Sequence, residues 1–356
     1  MFAVIMAGGI GKRFWPQSRQ EKPKQFLPIL DSRTLIQSTV ERLKLLVDDE
    51  AIYFALNYQQ QSLLLEQLPD VKESNLILEP FGKNTAPCVG LAALLLKQKD
   101  PDEVMIVLPS DHFIQDEDTF REALLVAEKI AIEYDSLVTI GIQPDRPATG
   151  YGYIQHSDKL KEVSGVSIFK VKTFAEKPNV ETARRFLSSG DFLWNSGIFI
   201  WKISTILKEI ETHLPELFSG LEKLEKSIGT EDYLATLEQV YRQTRSISID
   251  YGVMEKAKNV NVIKCDFGWN DVGSWDEVYK LSPKDDHGNT IVGNGIAFDS
   301  KNCLILSDDN LISVLGMDDL VVVKSDNAIL ICPKDRAQDV KDLAEYLKRK
   351  DMDQYL

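Results

Sequence analysis

Apolar residues along the first 142 positions fall into short solid runs separated by longer amphipathic ones. Phe2 to Ala7 (FAVIMA) is an unbroken apolar run, the pattern of a strand covered on both faces. Thr34 to Val47 sets Leu35, Val40, Leu43 and Val47 near helical spacing. The alternation then repeats. Strands are predicted over Ala51–Leu56, Asn75–Leu78, Val104–Leu108 and Leu137–Ile142. Between them the pattern predicts helices over the glutamine-rich stretch to Leu68, over Thr85–Lys99 with a small apolar face, and over Glu117–Tyr134. Strands alternating with helices predict an α/β domain with a mostly parallel sheet covered on both sides. Such sheets bind ligands beyond the carboxyl ends of their strands, which directs attention to the loops after Ala7, Leu78 and Leu108.

From Gly150 to about Trp275 strand-like stretches (SIFKVKTFAEK, GIFIWKI, VNVIKC) alternate with Leu- and Glu-rich helices, read as insertions into the same Rossmann-like mixed sheet. After Pro283 short β-rich runs start at Asn302, Asn310, Asp319 and Asn327, each led by a polar residue. Even spacing predicts a small β-helix or β-roll, with a plain meander as the alternative. Ala337–Lys350 is an amphipathic closing helix. The expected division is a catalytic domain over 1–282 and a β-rich tail over 283–356.

Net charge is −14 over 356 residues, which argues against a nucleic-acid partner. No apolar run approaches the length of a membrane span, and MFAVIMAGG carries no basic leader, so a cytoplasmic protein is expected. Cys88, Cys265, Cys303 and Cys332 show no paired spacing, and the four histidines none at ligand spacing. Against this acidic background Lys12, Arg13, Arg19, Lys22 and Lys24 crowd together with Glu21 as their only acid. Positive charge concentrated in one loop marks an anion site, unless it is simply a solvated charge run.

That loop reads AGGIGKRFWPQSRQEKPKQF. Gly8, Gly9 and Gly11 between a strand and a helix can expose backbone N–H groups to phosphate. A dinucleotide fingerprint fails, because Phe14 stands where the third glycine belongs and no acid follows the second strand. A P-loop fails as well: Met6 replaces its first glycine and Arg13 its Ser/Thr.

The remaining pattern, GGxGxRFxPxSRxxxPKQF, closely resembles the signature of nucleotide-sugar pyrophosphorylases, in particular the mannose-1-phosphate guanylyltransferases. EPFGKNTAP from Glu79, LPSDH from Leu108, TGYGYI from Thr149, FAEKP from Phe174, WNSGIFIW from Trp194 and GWNDVGSW from Gly268 resemble that family's later blocks, in the same order. Ala175 stands where the family often has valine, and the chain ends at Leu356, too soon for the isomerase domain of bifunctional relatives.

The resemblance implies a nucleotide-diphospho-sugar transferase fold, GTP and mannose 1-phosphate as substrates, and Mg²⁺ as cofactor. It implies Arg13 and Lys24 on the triphosphate and the transition-state charge, with Lys12, Arg19 and Lys22 as further candidates for which solvated surface charge is the alternative. Asp111 and Asp271 would hold the metal, each with a helix cap as the alternative. Gly8, Gly9, Gly11, Lys12, Glu79, Asn84, Thr85 and Ser110 would hold the nucleotide, Asn84 and Thr85 also reading as a helix start. Gly150, Gly152, Glu176, Lys177, Asn195 and Gly197 would take the sugar phosphate. A phosphate monoester is already largely a dianion at neutral pH, so the reaction needs alignment and charge neutralisation rather than a general base. A transferase for another manno-configured sugar such as a heptose, one using another nucleotide, and a catalytically silent sugar-nucleotide-binding regulator are the alternatives. A homodimer is expected, since the tail's sheet edges need covering.

Overall fold

The computed structural model describes all 356 residues. In chain order the first half contains β1 (Phe2–Met6), α1 (Leu35–Leu43), β2 (Ile52–Asn57), α2 (Gln61–Gln67), β3 (Leu76–Glu79), α3 (Thr85–Lys97), β4 (Val104–Pro109), β5 (Phe113–Ile114), α4 (Glu117–Tyr134) and β6 (Leu137–Ile142). Next come β7 (Tyr153–Val163), β8 (Val166–Ala175), α5 (Val180–Ser189), β9 (Phe192–Lys202), α6 (Ile203–His213), α7 (Pro215–Ser227), α8 (Tyr233–Gln243), β10 (Val260–Lys264), β11 (Trp269–Asn270) and α9 (Trp275–Leu281). The tail holds β12 (Thr290–Phe298), β13 (Leu304–Leu315), β14 (Leu320–Ser325), β15 (Ala328–Pro333) and α10 (Val340–Arg349).

Local signals account for the helix starts. Thr34 accepts from Gln37 N while the Gln37 side chain returns to Thr34 N, a capping box that opens α1. Asp116 accepts from Thr119 N and opens α4. Helix α3 is apolar nearly all round, so it is buried nearly all round, rather than on the one small face its sequence suggests.

One sheet of nine strands runs β3-β2-β1-β4-β9-β6-β10-β8-β7. The pairings make β9 and β8 the two strands that run against the rest, so the sheet is mostly parallel in direction. Strand β1 pairs in parallel on both sides, which explains why FAVIM carries no polar residue. Apolar clusters of 38 and 30 buried residues fill the two faces of this sheet.

The tail sheet runs β12-β13-β14-β15, its first three strands parallel and the last antiparallel. Here the structure corrects the sequence in two ways. The runs beginning at Asn302 and Asn310 belong to one strand, β13, and an unpredicted strand, β12, precedes them. The pairing shifts register between Gly293 and Gly295, where β13 bulges between Ser307 and Ile312. Gly293 has φ 78°, and a Cβ on it would lie 1.7 Å from Ser307 O. Glycines at such a corner read as a turn in the sequence and hid the strand.

The tail is not an isolated appendage. A third apolar cluster joins Phe14 and Trp15 of the glycine loop and Trp275 of α9 to Leu304, Val321 and Leu347 of the tail. Trp15 Nε1 donates to Tyr355 O at 2.7 Å, and Trp275 Nε1 to Trp15 O at 3.1 Å. No helix is long and apolar enough to cross a membrane.

Candidate active site

The loops after β1, β3 and β4 meet at the carboxyl edge of the sheet. The glycine loop is tied down by its carbonyls. Gln25 Nε2 donates to Ala7 O and Gly9 O, Asn57 Nδ2 to Gly8 O at 3.1 Å, and Ser18 Oγ and Lys24 N to Ile10 O. The amides of Gly8, Gly9, Ile10 and Gly11 donate to no protein group. A loop with bound carbonyls and free N–H groups is a cradle for phosphate oxygens.

Gly11 sits at φ 76°, and a Cβ on it would come within 2.3 Å of Lys24 Cβ. The loop and PKQF therefore pack against each other, and Lys24 runs beneath the loop with its side chain only 6% exposed. Its Nζ donates to Asp111 Oδ2 at 2.8 Å and to Asp271 O at 2.8 Å. Tyr151 OH donates to Asp271 Oδ1 at 3.0 Å. Burial pushes the Asp111 carboxyl up, but Lys24 and neighbouring His112 outweigh it and hold Asp111 below its ordinary pKa. Asp271 is raised, by burial first, with Asp111 and Glu277 adding repulsion that Lys24 and Tyr151 only partly offset. Lys24 thus pairs with the Asp111 carboxylate and the Asp271 backbone carbonyl, which leaves the Asp271 carboxylate with the Tyr151 hydroxyl alone and the site short of positive charge. That imbalance, with oxygen donors alone, fits a hard divalent cation that keeps most of its water. Neither aspartate caps a helix: Asp116 caps α4, and α9 starts at Ser274 without a side-chain cap.

These groups open on a cleft of about 360 Å³ lined by Gly11, Arg13, Lys24, Asp111, Asp271 and Gly273, among others. Arg13 Nε is buried there without a partner, a donor left for an anion to satisfy. The five loop cations divide their work. Lys12 lines the cleft but pairs with Glu345 of α10 at 3.6 Å. Arg19 leaves the site and donates to Asn327 Oδ1 in the tail at 2.9 Å, and Lys22 is exposed. A larger cavity, about 620 Å³, opens between α1 and α2 at the amino ends of β2 and β3, away from all of these residues.

On the nucleotide side Glu79 is 4% exposed and accepts from Tyr241 OH at 3.1 Å. Burial raises its pKa to about 7. Its Oε2 would lie 3.6 Å from a Cβ on Gly8, so it forms the floor under the glycine loop. Asn84 has φ 70° and caps α3 through Thr85 N at 2.8 Å. Thr85 Oγ1 accepts from Ile249 N at 2.8 Å, tying this block to the segment that carries Asp250. Ser110 is buried, its N–H bonded to Met6 O and its carbonyl to Thr39 Oγ1.

On the other side of Asp271, Gly152 packs so closely that a Cβ would stand 2.6 Å from Glu176 Oε2 and 3.5 Å from Asn195 Cβ. Glu176 pairs with the exposed Lys177 at 2.6 Å. Gly197 has φ 71°, and its N–H donates to Asn195 Oδ1 at 3.2 Å. Gly150 lies in the open turn before them. Asn195 Nδ2 donates to Asp250 Oδ1 at 2.7 Å, and burial followed by repulsion from Glu176 raises Asp250.

Sequence reasoning passed over Tyr151, Asp250 and Gln25. Tyr151 lay inside a quoted block, between two glycines that invite close approach. The signal for Asp250 was a lone acid between Ile249 and the apolar Val253–Met254 pair. Trp194 and Trp269 are buried and stack edge-on against Tyr151 at 4.9 and 5.2 Å, which fixes the ring that holds Asp271.

A family model described as nucleotidyl transferase matches residues 2–288, and one described as a MannoseP isomerase/GMP-like beta-helix domain matches residues 293–347. A mannose-1-phosphate guanylyltransferase of Klebsiella pneumoniae is 38% identical over 100% of this chain and 75% of its own length. The alginate biosynthesis protein AlgA of Pseudomonas aeruginosa is 39% identical over 98% of this chain and 72% of its own. A crystal structure from Thermus thermophilus, described as a mannose-1-phosphate geranyltransferase, superposes with a TM-score of 0.87 at 35% identity, covering 98% of this chain and 99% of that one. With a phosphate cradle, a paired-aspartate cleft and full-length likeness in agreement, this chain belongs to the nucleotidyl transferase family, among the mannose-1-phosphate guanylyltransferases.

Proposed function

We propose that this chain transfers the guanylyl group of GTP to mannose 1-phosphate, giving GDP-mannose and pyrophosphate, with the glycine loop, Lys24 and both aspartates supplied by residues 1–282. The observation that carries the reading is the junction of Lys24 with Asp111 and Asp271 beneath a glycine loop whose amides are free. A sugar phosphate oxygen attacks the α-phosphorus. The bond from that phosphorus to the α,β-bridging oxygen breaks, and pyrophosphate departs with the electron pair. The protein's part is alignment and neutralisation. The free loop amides and Arg13 hold triphosphate oxygens, and Lys24 meets the charge that develops in transfer. Asp111 and Asp271 would hold a divalent cation, Mg²⁺ in this reading, which when bound supplies further neutralisation of the phosphates. Glu176, Asn195 and Asp250 offer acceptors and donors to sugar hydroxyls at the Gly152 turn. The choice of GTP and mannose 1-phosphate rests on the names of the relatives.

The test is a panel of four nucleoside triphosphates and several sugar 1-phosphates, mannose and heptose among them, with Mg²⁺ and a pyrophosphate-release readout. Fastest turnover with GTP and mannose 1-phosphate is expected. Fastest turnover with UTP or dTTP would overturn the guanylyl assignment, and turnover with no pair would favour a silent regulator.

A further inference from the structure

The cleft has a wall that the large sheet does not supply. Lys341 and Glu345 of α10 line it together with Lys12, Arg13 and the two aspartates. Helix α10 is held there by apolar contact, since Val340 and Leu347 share a buried cluster with Phe14 and Trp15. The two charged residues are not equivalent. Glu345 pairs with Lys12, whereas Lys341 is exposed and takes part in none of the chain's ion pairs. Next to it, Arg13 Nε is buried and unpartnered. The tail therefore brings one uncommitted cation to a wall that already has an unsatisfied donor.

Side-chain contacts give the site a direction. Asn195 and Asp250 stand at one end. Trp194, next to Asn195, packs on Tyr151, and Tyr151 reaches Asp271. Lys24 bridges Asp271 to Asp111, Gly11 lies on Lys24, and α10 closes the far end through Lys12 and Glu345. In-line displacement at phosphorus requires the attacking and leaving oxygens on opposite sides. With the sugar phosphate at the Asn195 end, the leaving group lies at the α10 end.

We propose that Lys341 is a ligand of the β- and γ-phosphates and of departing pyrophosphate, so that the β-rich tail completes the catalytic site. The inference rests on the nucleotidyl-transfer reading for its direction, but not on which nucleoside or sugar is used, because pyrophosphate is common to all such reactions. A flexible lysine suits a leaving group, as it offers a point charge that can follow the anion.

The probe is inorganic pyrophosphate with Mg²⁺, titrated calorimetrically into the full-length protein. Lys341→Ala should weaken binding about tenfold, the loss of one charge-assisted contact. Lys341→Arg should recover most of it, and Lys348→Ala, an exposed cation further along the same helix, should change nothing. In the reverse reaction Lys341→Ala should raise the KM for pyrophosphate and leave that for the nucleotide-sugar within about twofold, one contact having been lost at one end only. Because Lys341 is solvent-exposed, its replacement leaves the fold intact. Unchanged pyrophosphate affinity in Lys341→Ala, an equal loss in Lys348→Ala, or an equal rise in both KM values would overturn the proposal. A protein that binds pyrophosphate through Lys341 yet turns over no triphosphate would leave this inference standing and remove the transferase reading.

Discussion

Gly11 and Lys24 occupy the same space to the limit of contact: a Cβ on Gly11 would lie 2.3 Å from Lys24 Cβ. The backbone of Gly11 is also left-handed, at φ 76°. Gly11→Ala is therefore expected to cost about 1–2 kcal/mol in backbone strain alone and to push Lys24 off the aspartates. Turnover should fall at least about a hundredfold, since misplacement of about 1 Å at a reacting centre has that effect. Gly9 has open space around it, so Gly9→Ala should melt within about 0.5 kcal/mol of wild type. Paired melting curves and steady-state kinetics check both.

Asp111 and Asp271 should separate in stability while agreeing in activity. Asp111→Asn leaves the nearly buried Lys24 ammonium without its carboxylate, and a loss of about 1–3 kcal/mol is expected. Asp271→Asn removes a charge that burial and Asp111 already disfavour, so its stability should hold or rise. Both should depress turnover by about a hundredfold or more if each holds the cation that neutralises the phosphates. Chelation should abolish wild-type activity and Mg²⁺ restore it. Wild-type rates in either variant would remove that residue from the metal site.

Glu79 makes the fold sensitive to pH. Its pKa is raised from the ordinary carboxylate range to about 7 by burial, against the bond from Tyr241. The folded protein thus holds a proton that the unfolded chain releases near pH 4.5. This contribution is complete below that pH and is lost as pH rises through about 7. Relative to Glu79→Gln, the wild type should lose on the order of 3 kcal/mol between pH 4.5 and pH 8. A difference between the two unfolding free energies that does not vary with pH would sink the argument.

Asp250 is expected to act on one substrate. Its carboxylate holds Asn195 at 2.7 Å in the Gly152 turn, away from the glycine loop. Asp250→Asn should raise the KM for the sugar 1-phosphate about tenfold, since an Asn keeps an acceptor for Asn195 but loses the charge and replaces the second acceptor oxygen with a donor. The KM for the triphosphate should stay within about twofold, since that variant removes no contact with it. A rise in the triphosphate KM alone would place Asp250 with the nucleotide instead.

Trp15 reports on the seam between the glycine loop and the tail. Trp15→Phe keeps the ring in its cluster but removes the 2.7 Å bond to Tyr355 O. A loss of about 1 kcal/mol is expected. Hydrogen exchange in α10 should quicken in this variant, because the chain's last residues lose an anchor.

Much of this protein was legible before any coordinate. Solid apolar runs such as FAVIMA specify buried parallel strands because each must exclude water on both faces. The glycine loop and its clustered cations marked an anion site because free amides and positive charge suit phosphate, while the transfer chemistry and the two aspartates were implied by the resemblance carried by PKQF and the later blocks. The pairing of those parts was not legible. Local pattern does not say that Lys24 lies between Asp111 and Asp271, 87 and 247 positions away. Nor does it say that Arg19, an apparent phosphate ligand, reaches for Asn327 instead. Strand β12 stayed hidden because Gly293–Gly295 reads as a turn until a neighbouring strand pairs across it. Hydrophobic period and backbone freedom are local quantities that a sequence states directly. Which distant side chains share a cleft depends on how whole layers pack, and there the tertiary structure alone decided that the tail's Lys341 stands beside the loop at the start of the chain.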